Sequence, residues 1–194
     1  MFDWLGESPA PGLQWLDLVV SLVAFGFAVV AMPTILQSFL GGPKLSLEFD
    51  FKNDRAWEGN REFICHISNR PVNIWLRRCG VRREAANGVA IDVTLTDRSN
   101  GDSFSVNVTR DERHVHVPAS EAPVSFSIGT VGIWEGGEFG FSFEGRVRAD
   151  GPSMVRDVVY DLVARGNAGE ERCSARGVLS IGSTVADSGW QSEE

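Results

Sequence analysis

The nineteen residues from Leu18 to Leu36, LVVSLVAFGFAVVAMPTIL, contain no charged side chain. At about 1.5 Å of rise per residue, a helix of that length spans roughly 28 Å, the hydrocarbon thickness of a bilayer. A helix that is apolar all round has no polar face to offer water, and a domain of the size that remains seldom buries such a helix completely. The run predicts a single transmembrane helix over residues 18–40. A short segment, 1–17, precedes it and a linker, 41–43, follows it. Residues 44–181 read as one tethered domain, and 182–194 as a polar, disordered tail.

The flanks of the run carry further information. The segment before it has no Lys or Arg, unlike the positive start of a secretory signal peptide. After it, Lys44, Lys52 and Arg55 lie close to the span. The positive-inside rule then puts the larger portion in the cytoplasm and the N-terminus outside, with the chain a single-pass protein of the cell (inner) membrane. Trp4 and Trp15 stand where interfacial aromatics anchor a span at the level of the lipid headgroups. Pro33 removes one helical hydrogen bond, which predicts a kink or the last turn there. Gly41-Gly42-Pro43 is a helix stop.

Charge is spread unevenly. The formal total is −8, yet residues 41–90 hold nine bases against six acids, and residues 91–194 hold nine against seventeen. An acidic chain without a dominant basic face is not a general nucleic-acid binder. Three cysteines, Cys65, Cys79 and Cys173, are too few and too odd in number for a disulfide framework. One bridge, Cys65 to Cys79, remains open if the domain lies outside the cytoplasm.

Beyond Pro43 the hydrophobic period drops to two. Leu45, Leu47, Phe49 and Phe51 alternate with polar residues, as do Val89, Ile91, Val93 and Leu95. Further strands are expected over 62–67, 72–76, 104–108, 114–117, 124–128, 139–148, 154–164 and 171–181. Turn chemistry stands at 68–71, 87–88, 98–102 and 166–169. Gly129–Gly140, with its five glycines, reads as a mobile loop or wide turn. Many short strands with closely spaced turns point to a mainly β domain, an antiparallel β-sandwich that can be immunoglobulin-like, or less favourably a barrel. Cys65 followed by Trp75 resembles the Cys-to-Trp spacing of immunoglobulin domains. Glu171, however, stands where their Tyr would precede the second Cys, and two residues alone assign no family.

No catalytic constellation emerges. His114 and His116 would share a strand face but lack the further ligands of a metal site. The glycine run from Gly129 has no following Lys-Ser/Thr and is not a phosphate loop. The expectation is therefore no catalytic, cofactor or metal site, and no cofactor. Two contact features remain. Arg70, Arg77, Arg78, Arg82 and Arg83 form a dense basic cluster suited to anionic headgroups or an acidic partner. Trp134, in its glycine-rich setting, and Trp190 read as exposed, and Trp75 as core; of these, Trp134 is the contact candidate. The expected role is non-enzymatic: an accessory or scaffolding subunit that meets membrane lipid and other membrane proteins but no nucleic acid. The alternative is a membrane-tethered sensor whose sandwich binds a small ligand.

Overall fold

The computed structural model describes residues 11–53, 59–109, 115–120, 122–134, 137–143 and 154–193. It is mainly β, with one long apolar helix at the N-terminal end and antiparallel sheets. Two units are distinct: one comprises residues 1–42 and 72–82, the other residues 43–71 and 83–194.

The first unit is built on α1, Pro11–Leu40, thirty residues long. It starts earlier than the apolar run alone implies, and Pro at a first helical position is favoured because its missing N–H has no partner there anyway. It also runs on through Pro33, which is neither its end nor its last turn. The helix stops at Gly41, whose N–H donates to the Gln37 carbonyl at 2.8 Å. Residues Trp15–Leu40 are long and apolar enough to cross a membrane, and none of the qualifying stretch is buried among the described residues.

Residues 72–76, expected to be extended, instead begin a second helix, α2, Ile74–Arg78. Asn73 overrides the β-branched start. Its side chain accepts from the Trp75 N–H at 3.1 Å, which satisfies one of the donors a helix start leaves open. Gly80, with φ of +84°, turns the chain out of α2. Trp75 is consequently not core: it is 68% exposed, beside Ile74 at 62%.

The second unit contains twelve strands among the described residues. In chain order they are β1 (Leu45–Asn53), β2 (Arg61–Asn69), β3 (Ala86–Asn87), β4 (Ala90–Asp97), β5 (Ser103–Asn107), β6 (His116–Val117), β7 (Val124–Ile133), β8 (Phe139–Phe143), β9 (Met154–Val155), β10 (Val158–Ala168), β11 (Glu171–Ile181) and β12 (Gly189–Glu193). One sheet has the order β1-β2-β7-β8-β9 and the other β12-β11-β10-β4-β5, with β3 and β6 paired separately. Every pairing between these strands is antiparallel.

The alternation read from the sequence sets which face each strand buries. Leu45, Leu47, Phe49 and Phe51 of β1 and Phe63, Cys65 and Ile67 of β2 are buried, as are Ile91, Val93 and Leu95 of β4. They join one core with Phe141, Tyr160, Leu162 and Leu179, so inward side chains of both large sheets share a single apolar cluster. Aromatic rings cross it. Phe104 of β5 meets Phe143 of β8 edge-on, with centroids 5.0 Å apart.

Three expectations change here. Residues 182–194 are not simply a tail: β12 pairs with β11 from Arg176↔Glu193 to Ser180↔Gly189. Trp190 supplies the reason, since its ring packs at 5.2 Å from Phe49 and 5.8 Å from Phe63. The glycine-rich stretch is largely strand, because β7 extends to Ile133. A Cβ on Gly129 would lie 2.6 Å from Cζ of Phe141, and one on Gly132 would collide with the Asn60 amide. These glycines admit neighbouring side chains rather than loosen the chain. The run 154–164 is broken at Asp157, a non-glycine residue with φ of +49°.

Candidate functional site

In the first unit, the last turn of α1 holds the turn that follows α2. The Gln37 side-chain amide donates from Nε2 to the Arg82 carbonyl at 2.9 Å, and its Oε1 accepts from the Arg82 N–H at 2.8 Å. One side chain thus satisfies both polar groups of one backbone residue, as a neighbouring strand would. Gly41 makes room for this: a Cβ there would sit 2.6 Å from Gln37 Cδ. One turn earlier on α1, Pro33 Cβ lies 3.8 Å from the point where a Gly80 Cβ would be.

Three of the five clustered arginines, Arg77, Arg78 and Arg82, belong to this unit. Arg78 places its guanidinium over the Trp75 ring, 5.1 Å from the centroid. Among the described residues, none of the three has a carboxylate within ion-pair distance. Trp15, at the other end of the apolar stretch, is 69% exposed. Trp4 lies outside the described residues.

Arg70 and Arg83 belong to the second unit. Arg70 meets Glu48 at 3.6 Å in an exposed pair, and Arg83 Nε donates to the Arg70 carbonyl at 3.0 Å. Beside them Asn69, fully buried, ties three segments together. Its Oδ1 accepts from the Lys44 N–H at 2.9 Å. Its Nδ2 donates to the Glu84 carbonyl at 2.7 Å and faces the Val117 carbonyl at 3.4 Å. Its neighbours Ser68, Arg70 and Pro71 mark Asn69 as a turn residue, whereas its place at the end of the buried face of β2 signals its structural role.

Trp134 closes the β7–β8 hairpin. Its backbone N–H donates to the Glu138 carbonyl at 2.9 Å, and its indole Nε1 donates to the Gly140 carbonyl at 3.3 Å. The ring is half-buried, so much of it serves the hairpin itself.

The remaining chemical candidates do not converge. His116 hydrogen-bonds Asn87 at 2.7 Å and His66 hydrogen-bonds Ser125 at 2.8 Å, while His114 lies outside the described residues. Burial, with Lys52 adding to it, lowers the His66 pKa and favours the neutral ring. The cysteines are all free thiols, and Cys79 is exposed whereas Cys65 is buried. Burial, with a smaller contribution from Cys173, pushes the Cys65 thiol up to about 12, which leaves almost no thiolate at neutral pH.

An open cleft of about 810 Å³ lies on the second unit, lined by residues that include Asp97, Asp102, Phe104, Met154, Arg156 and Tyr160. Burial, and secondarily Asp97, raises the Tyr160 hydroxyl to about 12. Asp97 itself is held below the usual carboxylate range by hydrogen bonds from Ser99.

No protein-family model, curated protein or solved structure matches this chain, so its functional reading rests on the geometry above.

Proposed function

We propose that the protein is a membrane-anchored, non-enzymatic interaction protein, an accessory or scaffolding subunit of a larger membrane complex. The observation that carries the reading is α1: its apolar stretch has no polar face, and among the described residues nothing buries it. Lipid and neighbouring transmembrane helices are the surroundings that suit such a surface. In this reading the two large sheets are the faces of a β-sandwich of immunoglobulin-like type, presented to a partner protein. The N-terminus lies outside and the β-domain lies in the cytoplasm. The arginines of the unit that contains α1 add weight to that orientation, because Gln37 holds Arg82 against the C-terminal turn of the helix. Arg70, Arg83 and Trp134 are the contact residues offered by the β-domain.

Gentle solubilisation from native membranes, followed by affinity purification of the full chain, tests this reading. A defined set of membrane proteins should co-purify, at a ratio that survives dilution. A chain that migrates alone after in-membrane crosslinking overturns it.

The 810 Å³ cleft supports a second reading, in which the β-domain binds a small ligand and α1 relays or oligomerises. Thermal shifts of the full chain against a metabolite and nucleotide panel decide it: a saturable rise supports a sensor, and flat responses remove it.

A further inference from the structure

The segment 72–82 leaves the β-domain, forms α2 and returns, yet its structural unit is that of α1. Three observations bear on what it does there. The Gln37 amide fixes Arg82 at the point where the apolar run of α1 gives way to polar residues. Pro33 Cβ lies 3.8 Å from where a Cβ on Gly80 would be, which takes the segment about one helical turn, roughly 5–6 Å, further back along α1. Finally, α2 buries none of its own residues: Ile74 and Trp75 stand exposed beside Arg77 and Arg78.

In water such a helix makes little sense. Five residues are too short to be stable alone, and an exposed Trp and Ile gain nothing from it. At the edge of a bilayer each feature has a use. The interface favours a Trp ring with one apolar and one polar side, and Arg side chains extend from apolar surroundings toward phosphates. Arg78 lays its guanidinium over the Trp75 ring, which gives that ring one polar side.

We propose that Ile74–Arg78 is an interfacial foot in the leaflet where α1 ends. Ile74 and Trp75 insert beside α1, and Arg77, Arg78 and Arg82 meet the phosphates of anionic lipids. The occupant is lipid rather than protein because Gln37 fixes the segment to the end of the apolar span, so its depth follows from that of α1. The foot would give the chain a second membrane contact besides the span. The inference rests on α1 being membrane-inserted.

The test uses the full chain reconstituted in phosphatidylcholine vesicles with about a quarter phosphatidylglycerol, the anionic share that attracts basic residues. One variant carries Trp75→Cys with Cys79→Ser and Cys173→Ser, labelled with an environment-sensitive fluorophore. A second keeps Trp75 and labels the native Cys79 in a Cys173→Ser background. The control is Asn100→Cys on the β4–β5 turn, in the same background as the first variant.

Both foot labels should be quenched by lipids that carry a spin label high on the acyl chain, and shielded from aqueous iodide several-fold relative to the control. Gln37→Ala should return much of the iodide access at Cys79. Protein that co-floats with vesicles while its foot labels match the control in iodide quenching overturns the foot and leaves the anchor standing. Labels shielded from iodide but untouched by spin-labelled lipid also overturn it, since protein rather than lipid then covers α2. Failure to co-float would instead refute the membrane anchor on which the proposal depends.

Discussion

Gln37 and Arg82 lie 45 residues apart and are joined by two hydrogen bonds, 2.8 and 2.9 Å, from one side-chain amide to one backbone residue. The pairing needs both a donor and an acceptor on residue 37. Gln, like the shorter Asn, supplies the two side by side on one planar amide. Gln37→Glu should keep the acceptor and lose the donor, and Gln37→Ala should lose both. Hydrogen–deuterium exchange of the full chain should show faster exchange at Arg82 in the Ala variant, with protection of β10 and β11 unchanged. Equal exchange in wild type and Gln37→Ala would show that the amide holds nothing.

Asn69 has no exposure and serves Lys44 and Glu84 with distinct polar atoms, with Val117 also in reach. Asn69→Ala takes this partner from the part-buried Lys44 N–H and Glu84 carbonyl and from the buried Val117 carbonyl, each loss expected to cost about 1–3 kcal/mol at most. The total loss should be roughly 3 kcal/mol, a large share of the stability of a domain of this size. Urea unfolding of the full chain in mild detergent measures it. A shift below about 1 kcal/mol would mean that water replaces the side chain without difficulty.

Trp190 fills the space that Gly177 leaves empty: a Cβ on Gly177 would fall 2.7 Å from its Cζ2. Gly177→Ala should displace the indole, and Trp190→Ala should remove its contacts with Phe49 and Phe63. The latter should cost about 2–3 kcal/mol, less than truncating a fully buried aromatic. Both variants should also speed amide exchange in β12. Unchanged exchange there would mean that backbone pairing alone holds the strand.

Tyr160 is the sole tyrosine, so its ionisation can be followed without interference by ultraviolet absorbance. Its hydroxyl should titrate near 12, above the ordinary value of 10, chiefly because it is buried. The folded state therefore holds this proton more tightly than the unfolded state does. The associated stability is complete below pH 10 and is lost as the pH rises from 10 toward 12. Tyr160→Phe should flatten that alkaline loss. A midpoint near 10 in the folded protein would show that water reaches the hydroxyl.

Local pattern in the sequence determined the elements that depend on it. An uncharged nineteen-residue run is legible as a long apolar helix, because helical backbone bonds close within the segment. Alternation in β1 and β4 chose the buried face of each strand, because side chains on an extended chain repeat every two residues. The departures share one cause: contacts between residues distant in the chain. Gly129 and Gly132 look like loop until Phe141 and the Asn60 amide occupy the space above them. Residues 189–193 look like tail until Trp190 finds Phe49 and Phe63. Trp75 looks like core because it is large and apolar, yet the Asn73 cap turns its segment into a helix that leaves it exposed. The arginine cluster was legible as composition. Its division between two units, with Arg82 secured by Gln37, was not, because no local pattern encodes a pairing across 45 residues.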